Sequence, residues 1–303
     1  MTHRKQHMLG LSMVLLATVF FSMKAILVKF AYQYGVDTVT LVTLRMGLAL
    51  PFYIAMGFWV HRTQTLPVLK TTDLLITVSI GLSGYYLASL FDLWGLKYIS
   101  AGFERLILYL YPMIVLLLSV VWFRRPIRPI EFIALAIGYA GIALIYYQDS
   151  ATQGPDVRLG VMLVMASAVA YAIFLVGSGQ LVAKVGSMRF TVLAMIAACL
   201  TMILHFIIAR SVTDLIQPQP VYIIGIALAI FCTVIPTFLM NAGIKHLGAQ
   251  EASIVGAVGP VITTLFGVAF LGESMTLWHA AGLILVIGAV TLVTRSSGAI
   301  KSK

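Results

Sequence analysis

Residues 96–112 read LKYISAGFERLILYLYP, and residues 244–260 read IKHLGAQEASIVGAVGP. Sliding the first onto the second by 148 positions brings Lys97 onto Lys245, Ala101 onto Ala249 and Pro112 onto Pro260. Gly95 meets Gly243 just before the stretch, and Val120 meets Val268 beyond it. The starts of the two halves match more weakly, Gly10 with Gly160 and Phe21 with Tyr171. A repeat at a fixed long spacing means that one structural unit is used twice.

The composition says what kind of unit it is. Of 303 residues, 61% are hydrophobic and 10% charged, with a mean hydropathy of +1.02. Soluble domains carry about 25% charged residues, and a soluble chain could not bury this much apolar surface. A helix needs about 20 apolar residues to cross a bilayer core. Ten stretches qualify: 10–32, 38–60, 74–96, 101–123, 129–147, 159–181, 190–209, 221–241, 252–271 and 277–294. The connections are short and hold turn residues such as Gly35, Asp37, Pro126, Pro129, Gly154, Pro155, Pro218 and Pro220. Backbone groups in lipid must bond within their own segment, so the runs are helices. The expected fold is an all-α integral membrane protein of ten transmembrane helices. The run from Gly10 is longer than the core of a signal peptide and is expected to stay in place as the first span. Five spans per copy is an odd number, so the second copy enters the membrane from the opposite side. The halves, 1–148 and 157–295, are therefore two inverted five-helix repeats, a common plan among secondary transporters.

Charge sets the expected orientation. With both termini cytoplasmic, thirteen Lys and Arg lie inside, among them Arg62, Arg124, Arg125, Arg128, Lys184, Lys245 and Lys303. Only Lys97, Arg158 and Arg210 lie outside; Lys24, Lys29, Arg45 and Arg105 fall within spans. The net charge of +10 is thus a topology signal, and nucleic acid is not an expected partner. Cys199 and Cys232 sit in apolar runs and read as small core residues, neither disulfide partners nor metal ligands.

Two segments carry the resemblance to a known family. WGLKYISAGFERLILYLYPMIVLLLSVV (94–121) and NAGIKHLGAQEASIVGAVGPVITTLFGVAFLGESMTLWHAAGLILVIGAV (241–290) look like the paired EamA repeats of the drug/metabolite transporter superfamily. The second copy holds the pattern as Gly243, Lys245, Ala249, Pro260, Gly272, Glu273 and Gly282. The first departs from it, with Arg124-Arg125 where Gly272-Glu273 stand in the second. The resemblance implies a ten-helix inverted-repeat fold and export of small metabolites.

The charges inside spans mark the candidate site. At about 1.5 Å per residue, Lys24 lies roughly 12 Å and Arg45 roughly 10 Å below the outer surface. Asp92 is near the outer end of span 3, and Glu104 and Arg105 are in the first turn of span 4. Lys29 is closer still to the outer end of span 1. The second copy offers only His205 and Glu251. Ionisable residues in spans usually face a bundle interior or a wet cavity. They either bind substrate or pin helices together by pairing. Glu104 and Arg105 point about 100° apart on a helix, so one is expected to face the cavity and the other a neighbouring helix. Tyr85 and Ser89 share a face with Asp92, and Tyr111 one with Glu104. Aromatic rings among a few polar groups describe a small-molecule site. The expected substrate-binding set is Lys24, Arg45, Tyr85, Ser89, Asp92, Glu104, Arg105 and Tyr111.

No P-loop, HExxH, CxxC or G-x-S-x-G occurs, so neither an enzyme nor a cofactor is expected. The leading reading is a secondary transporter in the cytoplasmic (inner) membrane that exports an amino-acid-like or zwitterionic compound. The alternatives are an importer of a vitamin or nucleotide-like metabolite and a lipid-carrier flippase. Proton coupling is expected through Asp92 or Glu104 unless a neighbouring arginine holds the carboxylate ionised. Pro112 and Pro260 are expected to kink spans 4 and 9. Gly138, Gly141 and Gly282 mark spans 5 and 10 as scaffold or homodimer surface. A reporter enzyme active only outside the cytoplasm should stay silent when fused after Lys303, and a strong signal there would reverse the orientation.

Overall fold

The computed structural model describes residues 3–63, 69–124, 127–153, 156–247, 252, 255, 256 and 258–298. Pro126, Gly154, Pro155, Arg125, Glu251 and Lys303 lie outside the described residues. The described residues are mostly helical, without a strand among them. The helices are α1 (His3–Tyr32), α2 (Thr38–Thr63), α3 (Thr71–Gly95), α4 (Ala101–Trp122), α5 (Pro129–Gln153), α6 (Asp156–Val185), α7 (Ser187–Ala209), α8 (Gln219–Leu247), α9 (Gly259–Leu271) and α10 (Leu277–Gly298).

Helices α1 to α8 are each long and apolar enough to cross a membrane. The ninth and tenth expected spans correspond to shorter apolar helices, Gly259–Leu271 and Leu277–Leu292. Thirteen residues make about 20 Å of helix, against roughly 30 Å of hydrocarbon. The residues that would lengthen α9, most of 248–257, are outside the described set.

The repeat reappears as backbone geometry. Helix α3 carries one wide π turn, Leu82–Leu87, and α8 carries another, Ile230–Val234, starting 148 residues later. Helix α4 breaks at Tyr109 and Leu110 and resumes as Tyr111–Phe123. That segment has 13 residues, as has α9. Pro112 and Pro260 each sit in the first turn of these segments. They start helices where kinks within continuous helices are expected, because a proline's missing N–H costs nothing in a first turn. Both segments end on a left-handed residue, Arg124 (φ 50°) and Gly272 (φ 65°).

Packing follows the same pairing. Helix α1 lies chiefly against α8 and α3 against α6, while α2 meets α7, α4 meets α9 and α5 meets α10. Small residues set the closest crossings. A Cβ on Gly243 would stand 2.5 Å from Val14 and 3.1 Å from the Gly10 carbonyl. Its counterpart Gly95 would bring a Cβ to 2.4 Å from Val164 and 3.0 Å from the Gly160 carbonyl. Gly141 and Gly282 bring α5 and α10 together in the same way. Hydroxyls add fastening: Ser83 donates to the Ala170 carbonyl (2.8 Å) and Ser167 to that of Ala88 (2.7 Å), both joining α3 to α6.

Asp37 begins α2, its Oδ1 accepting from the Val39 amide at 2.9 Å, and Arg210 after α7 ion-pairs with it at 3.2 Å. Burial pushes the Asp37 carboxyl up, but Thr40, Arg210 and Val39 outweigh that and hold it below the usual carboxylate range. Cys199 and Cys232 are buried and unbonded to each other, as expected of core residues.

Gly95→Val or Gly243→Val should each destabilise the fold by about 1–3 kcal/mol or more, since overpacking a tight crossing forces the helices apart. Gly288→Ala, where nothing stands within 4 Å of the added carbon, should leave the melting temperature of the purified protein unchanged or slightly raised.

Candidate functional site

Three charges from three helices meet inside the bundle. Lys24 of α1 donates to Asp92 Oδ2 of α3 and, at 3.3 Å, to Glu104 Oε1 of α4. Lys24 is 8% exposed, Asp92 4% and Glu104 0%. Local sequence explains the placement. The hydroxyls of Thr18 and Ser22 turn back onto the α1 backbone at Val14 and Thr18, and Ser22 also donates to the Gly259 carbonyl at 3.2 Å. Ser100 starts α4 by accepting from the Phe103 amide, which sets Glu104 in its first turn. Two carboxyl groups surround one ammonium, and Asp92 Oδ1 and Glu104 Oε2 accept no hydrogen bond from a described donor.

The two arginines are placed differently. Arg45, 8% exposed, donates from Nε to the Thr233 hydroxyl at 2.8 Å. Thr233 stands in the π turn of α8 and itself bonds the Leu228 carbonyl five residues back. Arg105 is half-buried on the other face of α4's first turn. It meets no carboxylate within ion-pair distance among the described residues. Its guanidinium lies beside Gly259, where an added Cβ would stand in ordinary contact, 3.4 Å from both Arg105 Nη2 and Thr18 Cγ2. The expected division between Glu104 and Arg105 therefore takes a definite form. Glu104 pairs with a neighbouring helix, and Arg105 has no carboxylate partner among the described residues.

The tyrosines form a row. Tyr111 meets Tyr171 edge-on at 5.3 Å between ring centres, Tyr171 stacks on Phe174 at 5.8 Å, and Phe174 meets Tyr85 edge-on at 4.8 Å. Arg105 lies within electrostatic reach of Tyr111 and Tyr171, so the row begins beside the charged cluster. At its far end Tyr85 packs against the cluster that holds Tyr53 and Met195. Ser89 is half-buried on α3 and forms no hydrogen bond among the described residues. His205, the described second-copy candidate, bonds the Tyr86 hydroxyl at 2.8 Å.

Sequence reasoning missed Thr233, Tyr171, Phe174 and Gly259. Two of them had a signal. Thr233 stands 148 residues after Tyr85, and Tyr171 aligns with Phe21. It also missed the work of Glu273. That carboxylate accepts from the amides of Ala101 (2.7 Å) and Gly102 (3.3 Å), so the α9–α10 loop of one repeat caps α4 of the other. A carboxylate there also suits the positive end of the helix.

Comparison with known proteins speaks to the family and the fold. The model of the EamA-like transporter family matches residues 8–147 and again 158–295. The chain is 31% identical over 284 residues to the uncharacterized transporter YcbK of Bacillus subtilis (strain 168), covering 92% of this chain and 88% of that one. It is 27% identical over 231 residues to an uncharacterized transporter of Archaeoglobus fulgidus, covering 75% and 80% of the two. Identity to the uncharacterized inner membrane transporter YedA of Escherichia coli (strain K12) is 25% over 167 residues, 55% of this chain and 53% of YedA. A protein crystal structure with 20% identity superposes with a TM-score of 0.64 over 96% of this chain and 98% of that one. At that identity it speaks for the fold alone.

Removing Lys24 would strand two buried carboxyl groups, and breaking a buried pair from one side costs about 3–5 kcal/mol. Lys24→Met should therefore collapse the melting temperature and folded yield. The triple change Lys24→Met, Asp92→Asn, Glu104→Gln should recover most of the loss.

Proposed function

The chain belongs to the EamA-like transporter family and is a multi-pass membrane protein, and from that premise we propose that it is a secondary exporter of a small amino-acid-like zwitterion. In this reading all ten helices cross the cytoplasmic membrane as two inverted halves, 1–148 and 157–295, with both termini inside. The charge bias of the loops supports the orientation, and the inner-membrane name of the relative YedA supports the location.

One observation carries the substrate class. The buried layer offers unengaged groups of both signs within one site. Among the described residues, Arg105 brings a guanidinium without a carboxylate partner, and Arg45 donates to the Thr233 hydroxyl. Asp92 Oδ1 and Glu104 Oε2 are buried and accept from no described donor. A carboxylate ligand binds a guanidinium in two-pronged fashion, and an ammonium suits the carboxyl groups of Asp92 and Glu104. The Tyr111–Tyr171–Phe174 row supplies the apolar wall for the remainder of the ligand. Tyr85 and Ser89 extend that wall along α3.

Coupling follows from charge balance. Lys24 neutralises only one of its two carboxyl groups, so a single proton shared by Asp92 and Glu104 makes the triad neutral. The ammonium of a substrate can take that proton's place. A proton entering from outside then replaces the substrate as it leaves, which links export to the proton gradient.

In reconstituted vesicles, Arg105→Gln should cut metabolite binding at least tenfold with the melting temperature intact. Asp92→Asn and Glu104→Gln should abolish accumulation driven by a proton gradient yet keep substrate-for-substrate exchange. Normal pumping by both carboxyl variants would remove the coupling role, and normal binding by Arg105→Gln would remove the recognition role.

A further inference from the structure

A cavity of about 570 Å³ opens where the ends of α1, α3 and α9 meet, on the side where α4 begins. Its lining includes Lys29, Tyr32, Gln33, Lys97, Leu271 and Glu273. It is separate from the buried layer, whose Lys24 lies five residues further down α1, about 7.5 Å along the axis. Its size is that of a metabolite pocket.

The electrostatic balance of the lining is positive by one charge. Lys29 and Lys97 contribute two cations, one from α1 and one from the turn after α3. Among the described lining residues the one carboxylate is Glu273, and both of its oxygens are occupied by the Ala101 and Gly102 amides. Lys29 sits in the field of both Glu273 and Glu104, so it stands between this cavity and the charges below. The Lys97 ammonium lies 5.2 Å from the centre of the Tyr32 ring. That ring is fixed, because its hydroxyl donates to the Leu93 carbonyl at 2.6 Å and meets Thr38 Oγ1 at 3.1 Å. The cavity thus joins two ammonium groups, one rigid aromatic face and the apolar side of Leu271, with the Gln33 amide at the rim.

We propose that this cavity is a second ligand site, which holds a small monocarboxylate with an apolar body. Lys29 and Lys97 receive the carboxylate, and Tyr32 and Leu271 receive the body. One surplus positive charge matches a monoanion, whereas a phosphate dianion would leave negative charge unmatched beside Glu273. The site lies in line with the buried layer, so an anion passing that end of the bundle meets Lys29 before Lys24.

The test uses the full-length protein in detergent with benzoate as the probe, its contact and affinity read by saturation-transfer NMR. The wild type should bind benzoate, and raised salt should weaken it. Lys97→Gln, which alters an exposed side chain, and Lys29→Gln should each weaken binding at least fivefold, with Arg105→Gln leaving it unchanged. Melting temperature checks the fold of each variant, and should Lys29→Gln fail to fold, Lys97→Gln alone decides. No binding by the wild type overturns the proposal. So does binding that survives Lys97→Gln, or binding lost on Arg105→Gln, which would put the probe in the buried layer. The zwitterion-binding site is read independently, since metabolite binding there depends on Arg105 and not on Lys97.

Discussion

Lys24 holds the bundle's interior together by a constraint that water does not impose. In hydrocarbon an ammonium costs about 2.5–3.5 kcal/mol even on the mildest scales, and Asp92 and Glu104 bring comparable penalties. Each is tolerable only where the other two are. The result is that α1, α3 and α4, apolar almost throughout, have a single compatible register. A slide by one turn along α1 would move the cation about 5 Å and expose all three groups to lipid or to empty apolar surface. Apolar packing in a membrane is forgiving about register, and this contact is not. The hydroxyls around it extend the same logic, because Thr18 and Ser22 bond backbone carbonyls of α1 and, for Ser22, of Gly259, and leave Lys24 to the carboxyl groups.

The two halves share backbone more than they share side chains. The π turns, the thirteen-residue segments with their early prolines and the left-handed ends recur at one offset. The glycine crossings recur between exchanged partners, Gly10 with Gly243 and Gly160 with Gly95. The chemistry does not recur. The triad lies wholly in the first repeat, and the second contributes Thr233, Tyr171 and Phe174. Equivalent π-turn positions hold Tyr85 in one copy and Thr233 in the other. A π turn widens the helix by one residue and turns it outward locally, so the same scaffold device presents an aromatic ring once and an Arg45 partner once. A binding site between such halves is lopsided by construction, with charge gathered on one side and apolar surface on the other.

Much of this was legible in the sequence. Hydropathy located the long helices, and the offset between Pro112 and Pro260 located the repeat. Depth along each helix was enough to bring Lys24, Asp92 and Glu104 into one layer, because rise per residue is a fixed length. Rotation was less accessible. Which of Glu104 and Arg105 pairs depends on how α4 is turned against α1 and α9, and that is decided by contacts such as Gly259 with Arg105. Thr233 was hidden for another reason: a threonine in an apolar helix looks like any other, and only the π turn aims it at Arg45. Glu273 was visible as part of a pattern, but its role as a cap needed the loop's path.

Arg124 is the odd member of the paired left-handed ends. A side chain at φ 50° costs about 1–2 kcal/mol that glycine avoids, and the second repeat has Gly272 at the corresponding place. The first repeat accepts a strained backbone to keep a cation in the loop between α4 and α5, a loop that also holds Arg125 and Arg128. Loop cations bias which way a helix pair is laid into the bilayer. A cation at this corner thus costs folded stability, and what such a charge can give in return belongs to the assembly of the chain and not to the packing of the finished protein.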